Sequence, residues 1–184
     1  LPEGDGTIEV RVADIFQVNG ASMISTNTRF ETDVAGGKIA PESLQGQFTT
    51  QFFPGNQTEL VEKVSDKVEE RAGGPPFEIG TTIPVTTHGK TFYFTAMACL
   101  NEQGNASTNI ENVKKAVDGL GEYVREAGEL QELAVPVVGT GRGRVRVSRK
   151  RIVALIADSF SKASEAGKIT ERLVIVVRPE DARR

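Results

Sequence analysis

The chain has 184 residues, 38% of them hydrophobic, and a formal charge of −3, which is enough for one domain with a sizeable core and excludes a disordered composition. The acidic balance argues against a general nucleic-acid binder, and no apolar run approaches the roughly 18 residues of a membrane span. Cys99 is the single cysteine and His88 the single histidine, so neither an internal disulfide nor a Cys/His metal site is expected.

Residues 7–13, TIEVRVA, alternate in strand fashion, and 20–26, GASMIST, read as a second short strand. Residues 27–55 carry Gly36, Gly37, Gly46 and Gly55 and read as irregular. So long a connection in a compact domain points to function. Residues 56–71 predict a helix with Asn56 as N-cap and Leu60, Val61, Val64 and Val68 on one stripe. The GGPP at 73–76 is punctuation.

Residues 77–85 and 90–100 then predict a hairpin, with His88 in its turn. The second of these strands is apolar on both faces, as a central strand would be. Cys99 lies in that apolar run and is expected to be a buried thiol. Residues 107–128 predict a helix with a Thr108–Glu111 capping box and a core stripe of Ile110, Val113, Val117, Leu120 and Val124. Residues 132–138 read as a strand, 148–167 as a helix capped by Ser148, and 172–177 as a fully apolar strand. Helices alternating with apolar strands predict a three-layer α/β/α sandwich with a mixed sheet, as one domain over 1–184.

In such sheets, ligands bind beyond the carboxyl ends of the strands. Two glycine-rich loops fall there: FETDVAGGKIAP, and VVGTGRGRV with Gly139, Gly141 and Gly143. Successive amides free of a Cβ can cradle an anion, and the helix from Ser148 adds its positive end. Arg142, Arg144, Arg146, Arg149, Lys150 and Arg151 crowd the same place. Cations at a helix N-terminus oppose its dipole by roughly 0.3–1 kcal/mol each, which an anionic partner offsets. A solvated helix start is the alternative. Neither GxxxxGK[ST] nor GxGxxG is present. RNA binding through these arginines would need stacking aromatics; there is no tryptophan, and Tyr93 and Tyr123 fall in core patterns.

VADIF near the start, a strand ending in ISTNT, then AGGKI, then VPVVGTGRG ahead of a helix span nearly the whole chain. In that order they resemble a macro domain. The resemblance implies an ADP-ribose-type ligand, with no cofactor, metal or nucleic acid. It implies that Asp14 accepts a hydrogen bond from the adenine amino group, with the Ile15 amide nearby, and that Asn27 lies at the distal ribose. Gly36, Gly37, Lys38 and Ile39 would form the first phosphate loop. Gly139, Thr140, Gly141, Arg142, Gly143 and Arg144 would form the second and wrap the diphosphate. Macro domains that hydrolyse ADP-ribosyl bonds carry an Asn-Ala-Ala-Asn run and a triple glycine. Here ISTN and two glycines stand in those places, so binding is expected rather than catalysis, with ADP-ribosyl hydrolysis as the alternative.

TNTRFETD, GGKIAPESLQGQF and FTAMACLNEQGNAST further resemble the divergent macro domains of bacterial Thoeris antiphage systems. That likeness implies a sensor of an ADP-ribose-derived messenger, such as a histidine conjugate, made by a partner TIR-domain enzyme. It also implies a cytoplasmic domain of a longer protein anchored in the cell membrane, consistent with a first residue of Leu1, and it leaves room for oligomerisation of that protein. Glu31 and Asp33 lie midway between Asn27 and the glycines. A carboxylate there could meet an amino or imidazole group beyond the distal ribose; solvated loop acids are the alternative.

Overall fold

The computed structural model describes residues 6–129, 131–138, 145 and 147–182. Its strands are β1 (Thr7–Val12), β2 (Ala21–Asn27), β3 (Thr82–Thr87), β4 (Lys90–Leu100), β5 (Ala106–Ser107), β6 (Glu132–Pro136) and β7 (Arg172–Val177). They form one sheet in the order β1-β7-β6-β2-β4-β3, and β5 folds back antiparallel on the end of β4. β1, β7, β6, β2 and β4 are parallel, while β3 is antiparallel to β4. The expected mixed sheet is therefore present, and the apolar β4 is interior to it.

Helices cover both faces. α1 (Leu44–Phe52) and α2 (Gln57–Glu69) lie on one side with a short 3-10 helix, Ile15–Gln17; α3 (Ile110–Ala127) and α4 (Arg149–Glu165) lie on the other. Along β7 the side chains alternate between the layers: Val174 and Val176 join the first core, Leu173 and Ile175 the second. None of the described helices is long and apolar enough to cross a membrane.

The predicted stripe of α3 is the observed one: Val113, Val117, Leu120 and Val124 are buried and Ile110 packs against them. Ser148 caps α4 by accepting from the Arg151 amide, and His88 occupies the hairpin turn at φ 51.

Other expectations are corrected. The irregular span 27–55 contains α1, whose N-cap Ser43 accepts from the Gly46 amide. α3 is capped by Asn109, not Thr108, because the Thr108 hydroxyl donates across to the Met97 carbonyl. Asn56 precedes α2 without a capping bond, its amide group turned to Glu59. Val61 points outward, 48% exposed, while Leu60 and Val64 are buried. Cys99 is exposed, because it lies where β4 outruns its parallel neighbour and meets only β5.

Candidate functional site

Parallel strands bring their carboxyl ends to one edge of the sheet. Asn27 ends β2, Leu100 ends β4, Asp14 follows β1, and the chain after Pro136 leaves from β6 beside them. Between the ends of β2 and β4 opens a cavity of about 1120 Å³. Its walls are Ser25, Thr26 and Asn27 of β2, residues 37–45, Met97 and Ala98 of β4, and the β4–β5 turn with Asn101 and Asn105. Ser43, Leu44 and Gln45 line it, so the first turn of α1 faces the cavity with its positive end.

The loop from Asn27 to α1 is held by its own polar groups. Asn27, 4% exposed, accepts from the amides of Arg29 (2.9 Å) and Glu31 (3.4 Å) and donates from Nδ2 to Glu31 Oε2 (3.3 Å). The other Glu31 oxygen pairs with Lys38 Nζ at 3.2 Å. Gln45 Nε2 donates to the Glu31 carbonyl at 2.6 Å, tying the loop to α1. Asp33 Oδ1 accepts from the Gly36 amide at 2.6 Å, and a Cβ at residue 36 would run into that carboxylate. Gly37 and Ile39 donate their amides to the carbonyls of Val34 and Asp33. In this arrangement, the amides of Gly36, Gly37 and Ile39 are used within the loop. A Cβ at Gly46 would strike the Ala40 carbonyl and Pro41, so glycine there lets the loop lie directly on the first turn of α1.

In the β1–β2 connection, Asp14 is exposed and caps the 3-10 helix, its Oδ1 accepting from the Phe16 amide at 3.0 Å. The buried Ile15 gives its carbonyl to Ser22 Oγ (3.4 Å) and Lys90 Nζ (3.3 Å), and Lys90 also donates to the Val18 carbonyl at 2.7 Å. Desolvation holds the Lys90 ammonium below its ordinary pKa, opposed by the charges of Asp14 and Glu132.

Of the residues singled out from sequence, Asn27, Gly37, Lys38 and Ile39 come together on the cavity wall. Gly36, Glu31 and Asp33 shape the loop behind them. Asp14 and Ile15 are not on that wall; they lie in the β1–β2 connection, with the Ile15 carbonyl against Ser22 near the start of β2 and Lys90 at the start of β4. Gly139, Thr140, Gly141, Arg142, Gly143 and Arg144 fall outside the described residues. Arg149, one of the basic cluster, turns to the tail and pairs with Asp181 at 2.5 Å.

Sequence reading passed over Thr26, Ser43, Gln45 and Asn101. Thr26 is 4% exposed, and its Oγ1 has no hydrogen-bond partner among the described residues, yet it lies in the cavity wall. Its place one residue before a strand's carboxyl end was a usable signal; the others needed α1 and the β4–β5 turn to be recognised first.

A family model for the macro domain of the Thoeris protein ThsA matches residues 8–178. The Thoeris protein ThsA of Bacillus amyloliquefaciens (strain Y2) is 25% identical over 144 residues, covering 73% of this chain and 48% of its own length. The chain thus spans about half the length of that relative. Among solved structures, a mutant Oceanobacillus iheyensis macrodomain with ADPR superposes with a TM-score of 0.67 at 13% identity, over 97% of this chain and 89% of that one. The same organism's macrodomain with ADP gives 0.66 at 14%, over 97% and 87%. The macrodomain of Mycobacterium tuberculosis DarG gives 0.62 at 14%, over 92% and 97%. At these identities, the solved structures establish the fold.

Proposed function

The chain belongs to the Thoeris ThsA macro-domain family, and on that footing we propose that it binds an ADP-ribose-derived nucleotide as a sensor, breaking no bond in it. The observation that carries this reading is the cavity at the end of β2, with the buried, unpartnered Thr26 hydroxyl in its wall. A buried hydroxyl without a partner costs about 1–3 kcal/mol, and a ligand that hydrogen-bonds to it removes that cost.

The ligand extends from the adenine at Asp14 to the distal ribose at Asn27. The loop of Gly139 to Arg144 and the positive end of α1 take the diphosphate. Lys38 is 57% exposed on its side chain and pairs with Glu31, so it can exchange that carboxylate for a phosphate oxygen. In the longer protein, the messenger comes from a TIR-domain partner enzyme, and the domain serves a membrane-anchored effector in antiphage defence.

Hydrolysis is the competing reading, and one observation favours it: Glu42 is a carboxylate in the cavity wall, where a general base would stand. Calorimetric titration with ADP-ribose, followed by incubation with an ADP-ribosylated protein, separates the two. The sensor reading expects saturable binding and no turnover. Turnover that disappears in Glu42→Gln would establish the hydrolase instead.

A further inference from the structure

β1 is an edge strand, hydrogen-bonded to β7. Thr7 donates its amide to the Glu171 carbonyl and Ala13 to that of Val177. The odd-numbered residues of β1 therefore turn their backbone groups toward β7, and Ile8, Val10 and Val12 present theirs outward. The same three residues are exposed large apolar side chains, at 38%, 56% and 57%. Their register with Leu173, Ile175 and Val177 puts them on the α3–α4 face of the sheet. An exposed edge is ordinarily blunted by lysine, proline or a bulge. The segment TIEVRV contains no lysine or proline, and its register with β7 is unbroken.

We propose that β1 docks antiparallel against β1 of a second copy of this chain, about a two-fold axis at Val10, making one sheet continuous through both copies. The pattern IEVRV is complementary to its own reverse. Centred on Val10, Val10 faces Val10 of the second copy and Ile8 faces the second copy's Val12, all at hydrogen-bonded positions. Glu9 faces the second copy's Arg11 at a non-hydrogen-bonded position, where side chains lie closer. Symmetry makes each unlike pair twice.

The neighbouring registers that also match outward residues are centred on Glu9 or on Arg11. They set Glu9 against Glu9, or Arg11 against Arg11, and like charges directly opposite are unfavourable. Charge thus selects one register from those the backbone allows. Within one copy Glu9 and Arg11 already pair at 2.7 Å, with Arg172 at 3.8 Å from Glu9 and Glu132 at 3.9 Å from Arg11. Docking extends this alternation of charge across the axis.

Sedimentation equilibrium over a concentration series tests the surface, with thermal melts to check each variant's fold. The unaltered chain is expected to associate reversibly to a dimer. Glu9→Arg alone and Arg11→Glu alone turn both facing pairs into like charges and should each weaken the dimer by about tenfold or more. Mixing these two variants restores every facing pair to opposite charge, so the mixture should regain a dimer with one copy of each. Val10→Pro removes an outward amide that β7 does not use, a position where an edge strand tolerates proline; it should stay folded and monomeric. A monomer at every concentration for the unaltered chain would overturn the proposal. So would a dimer that folded Val10→Pro and the charge reversals leave unchanged, or single reversals that stay monomeric when mixed.

Discussion

The two faces of the sheet are packed with different side chains. On the α1–α2 side lie Phe16, Phe30, Phe48, Phe53, Phe77, Phe92 and Phe94, with Phe52 against them. On the α3–α4 side the core is Val, Leu, Ile, Ala and Met, with Tyr93 and Phe160 the buried large rings. Phe48, wholly buried, meets Phe52, Phe53, Phe92 and Phe94 at centroid distances of 5.1, 5.7, 4.7 and 5.2 Å. α3 has 18 residues with a well-formed apolar stripe, whereas α1 has 9 and includes Gly46, Thr49 and Thr50. Residues of that kind do not favour an isolated short helix. α1 therefore owes its existence to the aromatic packing beneath it, and α1 with its preceding loop forms one wall of the candidate site. The site depends on one core layer more than on the other.

The sharpest way to break this contrast is to remove one large core side chain from each layer. Phe48→Ala should cost about 3–5 kcal/mol and Leu120→Ala about 2–5 kcal/mol in urea unfolding. The layers should part company in binding. With both variants folded, Phe48→Ala should lose ADP-ribose affinity while Leu120→Ala keeps it. Equal losses in titration would mean that the aromatic layer has no special hold on the site.

Glycine substitutions sharpen the comparison further. In α1, Gly46→Ala drives a methyl into the Ala40 carbonyl, and we expect a loss of about 1–3 kcal/mol together with weaker ligand binding. In α3, a Cβ at Gly121 would rest 3.6 Å from Ala163 and 3.7 Å from Ile169, ordinary contacts. Gly121→Ala should be neutral or stabilising by up to about 1 kcal/mol through helix propensity, with binding unchanged. Opposite signs in melting temperature are the readout.

How much of this was legible in sequence follows the same division. The aliphatic layer announces itself: Val113, Val117, Leu120 and Val124 recur at helical spacing, and Ser148 marks the start of α4. The order of strands and helices sufficed for the α/β/α sandwich. α1 was not legible, because LQGQFTTQF lacks an amphipathic stripe and its one deep anchor, Phe48, matters only once Phe92 and Phe94 lie under it. Cys99 misled for a related reason: it sits in an apolar run, but β4 has by then passed the end of β2. At the site, Asn27, Gly37, Lys38 and Ile39 could be found from motifs. For Thr26 the only mark was its place next to the carboxyl end of β2; that its hydroxyl is left unpaired is visible only in the fold.

A smaller effect lies in the aliphatic layer and tests its burial. Burial raises the pKa of Tyr93 above its ordinary 10.0, with the Glu129 amide, which donates to the hydroxyl at 3.2 Å, working against the rise. A raised folded-state pKa means that the folded chain holds the phenolic proton more tightly than the unfolded one. The associated stability is present below pH 10.0 and is lost as the pH climbs through the folded value. Tyr93→Phe should lose about 0.5–1.5 kcal/mol at neutral pH with the hydroxyl contact, and its stability should fall less steeply above pH 10.0. Parallel alkaline slopes in the two proteins would show that Tyr93 is not the titrating group.

The most direct measurement pairs calorimetric titration with unfolding for the unaltered chain and Thr26→Val, a change that keeps the shape and removes the unpartnered hydroxyl. If the cavity at the end of β2 is the ADP-ribose site, the unaltered chain binds ADP-ribose saturably. The variant is then as stable or more stable by about 1 kcal/mol, since a buried unsatisfied group is gone, yet binds about tenfold more weakly, the equivalent of about 1.4 kcal/mol. No binding of ADP-ribose by the unaltered chain, or full affinity in a folded Thr26→Val, would contradict the account.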